Sequence, residues 1–163
     1  MRRKYHPTDF SDGQWQRLLA YALERADAFE CVLPYRVVLQ NLECAPLWPA
    51  ELDEHREAIV DRYVSLIRWE LRRDEPTQFV RFRLTTALRS YIQGADRLED
   101  WCWRSGRPED PSFFRGGEPV LVTESIDGRI AVYADPDEVQ GLGSRGVRLL
   151  EPLGVRAEPW PTP

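Results

Sequence analysis

Few side chains in this sequence have the types and spacing that catalysis or metal binding requires. His6 and His55 are the only histidines among the 163 residues, and neither lies in a cluster with ligand-type spacing. Asp53, Glu54 and His55 are adjacent, so on a helix they would point in different directions. The sequence therefore predicts no metal site, no cofactor and no catalytic residue.

The cysteines, Cys31, Cys44 and Cys102, are odd in number and lack metal-type spacing. Cys31 lies on a predicted strand and Cys102 on the apolar side of a predicted helix, where cysteine packs as a small hydrophobic residue. No signal peptide is predicted, because no apolar segment follows residues 1–7. We therefore expect reduced thiols and a cytoplasmic location.

Paired carboxylates are the one abundant feature that could support general acid–base catalysis. Helix caps and solvated loops explain most such groups, but an enzyme of the hydrolase type is an alternative that the sequence leaves open. The acidic groups are Asp96, Glu99 and Asp100; Glu109 and Asp110; and Asp135, Asp137 and Glu138.

Arginine and tryptophan side chains indicate a different kind of site. Arg81 and Arg83 lie on one face of a predicted strand over residues 78–84, where they would either pair with acids on a neighbouring strand or bind an anionic partner. Trp48 and Trp103 fall outside the apolar stripes of the predicted helices. Arginine and tryptophan are typical anchors of protein interfaces, so Trp48, Arg81, Arg83 and Trp103 are the candidate partner-binding residues.

Overall charge restricts the class of partner. The chain has 22 basic and 27 acidic side chains, a net charge of -5, which argues against a general nucleic-acid or anionic-membrane binder. No run of apolar residues reaches the length of a transmembrane helix. An acidic surface favours a basic partner, so we expect another protein, with a basic toxin as one candidate.

The N-terminal half predicts a helix, a strand and an ambiguous segment. Apolar residues at helical spacing predict a helix over Asp12–Arg25, with Ser11 as its cap, and alternation predicts a strand over residues 29–33. Residues 50–61 favour a helix. Residues 62–71 have both a helical stripe and many β-forming residues, so helix and strand both stay open, and residues 73–76 predict a turn.

The C-terminal half predicts strands around a second helix. This helix begins at Thr85 or Thr86 and its apolar stripe runs on to Cys102. After it, Gly116-Gly117 predicts a turn and Asp127-Gly128 a two-residue type I′ turn. The remaining predicted elements are strands at 112–115, 119–124, 129–134 and 146–150, and a short helix from Asp135 that ends near Gly141.

Part of this half resembles a small family of uncharacterised bacterial cytoplasmic proteins. The resemblance rests on residues 98–101, 108–115 and 117–123, which contain an acidic-proline loop followed by an F-x-R-x-G-x-P-x-L-x-T hairpin. Members often place His-Glu shortly after the threonine, whereas this chain has Ser125-Ile126-Asp127-Gly128. The resemblance implies a compact α+β domain and carries no established activity.

Together these patterns predict one α+β domain over residues 1–156 and a Pro-rich tail over residues 157–163. We expect a mostly antiparallel sheet with the Ser11 and Thr86 helices packed on one face. The favoured function is a non-catalytic protein-binding module, of the kind that acts as an immunity-type or antitoxin-like partner of another bacterial protein. The alternatives are the carboxylate enzyme and a self-associating structural or regulatory subunit, which would form a homo-oligomer.

Overall fold

A computed structural model describes residues 2–8, 11–33, 35–36, 45–46, 48–68, 71–125 and 127–151. Cys44 and the proposed tail at 157–163 lie outside these residues, as does the side chain of Trp103. The α-helices are α1 (Asp12–Arg25), α2 (Thr86–Gln93) and α3 (Pro136–Ser144), and the 3₁₀ segments are Ala50–Ala58, Leu98–Asp100 and Trp103–Ser105. The strands are β1 (Arg3–Pro7), β2 (Ala28–Leu33), β3 (Tyr35–Arg36), β4 (Ala45–Pro46), β5 (Ile59–Arg68), β6 (Leu71–Arg83), β7 (Glu109–Arg115), β8 (Glu118–Glu124), β9 (Arg129–Ala134) and β10 (Leu149–Leu150).

Eight of these strands form one antiparallel sheet in the order β10-β1-β9-β8-β7-β2-β6-β5, and β3 pairs separately with β4. This sheet and its helices confirm the predicted α+β class. In the described residues β5 lies at one end of the sheet and β10 at the other. No helix in the described part of the chain is long and apolar enough to cross a membrane.

Helices α1 and α2 cover the same face of the sheet, as predicted. Residues paired in register point to the same face, so Phe29 of β2 shares a face with Phe82 of β6 and Phe113 of β7. These rings form one buried cluster with the apolar sides of both helices. The helix residues in it are Trp15, Leu18, Leu19, Tyr21, Ala22 and Leu23 from α1 and Leu88 and Ile92 from α2.

The helix ends differ in how they are capped. The bounds of α1 and Ser11 as its N-cap residue are those predicted, but the Ser11 side chain makes no capping hydrogen bond. At α3 the capping box forms: Asp135 Oδ1 accepts from the Glu138 amide at 2.9 Å, and Glu138 Oε2 accepts from the Asp135 amide at 3.0 Å. The helix continues to Ser144, beyond the predicted end at Gly141.

Residues 50–71 correct the sequence interpretation. The predicted helix is a 3₁₀ segment that ends at Ala58, and its buried side chains, Leu52, His55 and Ala58, recur every three residues, as that geometry requires. Residues 62–68 of the ambiguous stretch belong to strand β5, which runs from Ile59 to Arg68, and Leu71 begins β6, while Trp69 and Glu70 lie outside the described residues. The turn predicted at 73–76 is wrong, since those residues belong to β6, which already pairs with β5 at Leu71.

Glycines set the ends of several other elements. Helix α2 stops at Gly94, against which Arg107 packs closely, so the predicted extension to Cys102 becomes a separate 3₁₀ turn. The β7–β8 turn consists of Gly116 and Gly117, with φ of 57° and 87°, the signs that a type I′ turn needs. The β8–β9 hairpin forms as predicted, but four residues connect it, because Glu124 pairs with Arg129. A two-residue turn at Asp127-Gly128 is therefore wrong.

Candidate partner-binding site

The sheet face opposite α1 and α2, named the polar face below, has a buried ion pair at its centre. Glu30 of β2 is 1% exposed and lies in register with Arg81 of β6. Glu30 Oε2 accepts hydrogen bonds from Arg81 Nε at 3.0 Å and from the Tyr63 hydroxyl at 3.1 Å, and Arg81 Nη2 lies 2.8 Å from it in an ion pair. The arginine therefore compensates the charge of a carboxylate that has lost nearly all contact with water.

Aromatic rings lie beside both partners of this ion pair. The Arg81 guanidinium lies 4.3 Å from the centre of the Phe114 ring, and the Tyr63 ring stacks on Phe79 at 4.9 Å. The cation–π contact, the hydrogen bond from Nε and the ion pair leave the guanidinium little freedom. The prediction that arginines of this strand pair with acids across the sheet is confirmed for Arg81.

Glu109 and Asp110 bring further buried carboxyl groups to this part of the sheet. Glu109 is opposite Val32 in β2 and is 5% exposed, so it shares the polar face with Glu30. Asp110 is fully buried with a φ of 55°, and its Oδ1 accepts from the Ser125 amide at 2.7 Å and from the Ser125 hydroxyl at 3.0 Å. Asp110 thus fastens β7 to the end of β8 at a bulge in the β2–β7 pairing.

The outer side of β5, named the β5 edge, is the most exposed apolar part of the described sheet. Val60 and Val64 are 58% and 56% exposed. Val60 is the extra residue of a bulge, because Ile59 pairs with Phe82 and Asp61 with Arg81. The amide of Arg62 donates to Asp61 Oδ1 at 2.8 Å, so a side chain satisfies this backbone group.

Trp48 lies beside this edge on the helix-bearing face. Its half-buried ring is 6.4 Å from the Phe82 ring, and the guanidinium groups of Arg56 and Arg62 lie 4.6 and 5.1 Å from its centre. Because Arg62 belongs to β5, the tryptophan and the β5 edge form one continuous surface. Cation–π contact at such half-exposed sites is worth about 0.5–1 kcal/mol each.

Three of the four predicted partner-binding residues thus lie around the β5 edge, on both faces of the sheet. Trp48 is on the helix-bearing face, Arg81 is on the polar face, and Arg83 is exposed at the end of β6, in register with Ala28. The backbone of Trp103 begins a 3₁₀ turn, and its side chain lies outside the described residues. Trp48 and Arg81 do not form one cluster, because the sheet separates them.

A second ion cluster lies away from this edge, at the start of α3. Glu138 accepts from Arg2 Nη2 at 3.1 Å and from Arg25 Nε at 3.0 Å, and this joins β1, α1 and α3. Burial opposes ionisation of Glu138, but hydrogen bonds from Arg2, the Asp135 amide and Arg25 outweigh it and lower its pKa. Burial and the neighbouring Glu138 charge raise the pKa of Tyr21 to about 12.

Sequence reasoning missed Glu30, Tyr63 and the β5 edge. A detectable signal was the single charged residue in the apolar run of β2, since a charge in a buried strand requires a partner.

In the residues that the structure describes, no three histidine, cysteine or acidic side chains are placed to hold a metal ion. No family model, no curated protein and no solved structure matches the chain.

Proposed function

We propose that this protein is a non-catalytic protein-binding module whose binding surface is the β5 edge with Trp48, Arg81 and Arg83 around it. The observation that carries the proposal is the pair of exposed valines, Val60 and Val64, on a ten-residue strand at the end of the sheet. Such a strand presents exposed apolar side chains at the end of the described sheet, where a further chain can contact it.

The two ends of the sheet differ in a way that supports this choice of surface. Strand β10, at the far end, has two residues, too few for a pairing template. Its Leu150 is 60% exposed. The exposed large apolar side chains in the described residues are Val60, Val64 and Leu150. A long edge with two such residues offers both hydrogen bonds and apolar contact.

Charge supports a basic protein as the partner. The net charge of -5 accelerates association with a positively charged molecule and disfavours polyanions. An immunity-type or antitoxin-like role in a bacterial cell, against a basic toxin, fits this charge. A cytoplasmic location is part of the same proposal.

The test is capture of partners from the source organism by the full-length chain, followed by equilibrium binding of the purified partner. Val64→Lys should weaken binding by about tenfold or more, because it places a desolvated charge in the interface. Leu150→Lys, an equally exposed site at the far edge, is the matched control and should leave affinity unchanged. Association should also slow between low and physiological salt.

Two outcomes would contradict the proposal. One is an affinity that responds to Leu150→Lys and not to Val64→Lys. The other is reproducible turnover of a small substrate, because the second candidate function is the carboxylate enzyme. That candidate rests on one observation, the burial of Glu30 and Glu109 on the same face of adjacent strands. If the enzyme is correct, Glu109→Gln abolishes turnover and Val64→Lys does not.

A further inference from the structure

We infer that the partner adds an extended segment antiparallel to β5, with an acidic residue opposite Arg62, a basic residue opposite Asp61 and apolar residues opposite Val60 and Val64. This inference rests on the proposed function and names the chemistry of the partner. Addition of a strand to a sheet edge derives its affinity from backbone hydrogen bonds and its specificity from alternate side chains.

The backbone of β5 holds a donor that such a strand needs. The Arg62 amide donates to Asp61 Oδ1 at 2.8 Å, an exposed contact between neighbouring residues. A carbonyl of an incoming strand can replace this carboxylate oxygen. A basic residue opposite Asp61 would form an ion pair with the carboxylate. This lowers the free-energy cost of replacing the hydrogen bond between Arg62 and Asp61.

The side chains of β5 define the complementary pattern. Arg62 is opposite Val80 and Val64 is opposite Gln78, so both point to the helix-bearing face, with the Arg62 guanidinium near the Trp48 ring. Directly opposite residues of antiparallel strands contact each other, and opposite charges stabilise such pairs. From its N-terminus, the partner segment therefore begins with an apolar residue opposite Val64 and any residue opposite Tyr63. An acidic residue opposite Arg62, a basic residue opposite Asp61 and an apolar residue opposite Val60 follow.

The same residues disfavour a second copy of this chain as the occupant. Two β5 strands centred on Arg62 would match Val60 with Val64 but would set the two Arg62 side chains against each other, and like charges directly opposite destabilise a sheet. Centring on Tyr63 would put Asp61 opposite Ser65 and Arg62 opposite Val64, which pairs neither charge. Both copies would also have a net charge of -5.

The probe is a fluorescein-labelled peptide with the core Val-Thr-Glu-Lys-Val between Gly-Ser ends, titrated with the full chain and followed by fluorescence anisotropy. We expect saturable binding that Arg62→Glu weakens by about tenfold. A second peptide with the core Val-Thr-Lys-Lys-Val should recover binding to that variant and bind the unmodified chain weakly. A peptide with proline in place of glutamate lacks one backbone donor and should not bind.

Several results would overturn the inference: no saturable binding, equal binding of the proline peptide, or loss on Arg62→Glu without recovery by the lysine peptide. Thermal unfolding of each variant excludes loss through misfolding, because Arg62 is exposed. Sedimentation that shows a dimer dissociated by Val64→Lys would assign the edge to a second copy. If a captured partner depends on Val64 while the peptides do not bind, strand addition is wrong and the protein-binding function stands.

Discussion

The two faces of the central strands are buried by different means. On the helix-bearing face, Phe29 packs against Phe82, Trp101 and Phe113 with ring centres 5.5 to 6.0 Å apart. On the polar face, one residue further along β2, Glu30 is as deeply buried but relies on an arginine. Apolar packing loses energy in proportion to the volume removed, whereas an ion pair fails completely when either partner is lost.

The largest effect is expected on the helix-bearing face. Phe29→Ala leaves a cavity at the centre of the aromatic cluster, where the side chain is fully buried, and should lower the free energy of unfolding by about 4 kcal/mol. Urea denaturation followed by tryptophan fluorescence measures it. A loss below about 1 kcal/mol would mean that this cluster is not the core.

The polar face should give a smaller loss that a second substitution reverses. Arg81→Met leaves Glu30 buried without its counter-ion and should cost about 3 kcal/mol. Adding Glu30→Gln removes the charge yet keeps an acceptor for the Tyr63 hydroxyl, so the double variant should regain more than half of the loss. Urea denaturation of the singles and the double completes the cycle; purely additive losses would contradict a coupled pair.

Glu138 shows what arginine pairing contributes outside the sheet. Glu138→Gln should cost about 2 kcal/mol at pH 7, since it weakens hydrogen bonds to two arginines. The lowered pKa of Glu138 means that its ionised form stabilises the fold above its ordinary pKa of 4.5 and that this contribution is lost as the pH falls through the folded value. Denaturation at pH 7 and at pH 3 should therefore show the variant and the original chain converging in acid.

The smallest loss of stability is expected in the loop that connects β8 and β9. Gly128 has a φ of 63°, which a β-branched residue adopts only with strain, so Gly128→Val should cost about 1–2 kcal/mol. Gly141→Ala, within α3 and with open space around it, is the matched control and should be neutral or slightly stabilising. If Gly128→Val and Gly141→Ala change the thermal midpoint equally, the β8–β9 hairpin is misassigned.

Elements with local signals were predictable from the sequence. The apolar spacing from Trp15 to Ala22 gave the bounds of α1, and the Asp135 capping box located α3. Residues 62–71 could not be decided, because β-branched and aromatic side chains at mixed spacing satisfy both helix and strand patterns. Pairing with β6 resolves them, and that contact is not local in the sequence.

The candidate site was predictable only in part for the same reason. The arginine-bearing face of residues 78–84 follows from strand alternation, so Arg81 was identified from the sequence. Its partner Glu30 and the exposure of Val60 depend on the order of strands in the sheet. Trp48 was named from the sequence as a candidate anchor, but its location beside β5 and its contacts with two arginines come from tertiary structure.

The pairing of strand β1 affects the order in which the sheet can form during synthesis. Tyr5 pairs with Val132 and His6 with Leu150, so β1 is synthesised long before β9 and β10, the strands with which it pairs. Strands β2, β5, β6 and β7, by contrast, are all synthesised by Arg115 and can assemble on one another. The β1 end of the sheet can therefore close only after β9 and β10 have been synthesised, whereas the β5 end can form earlier.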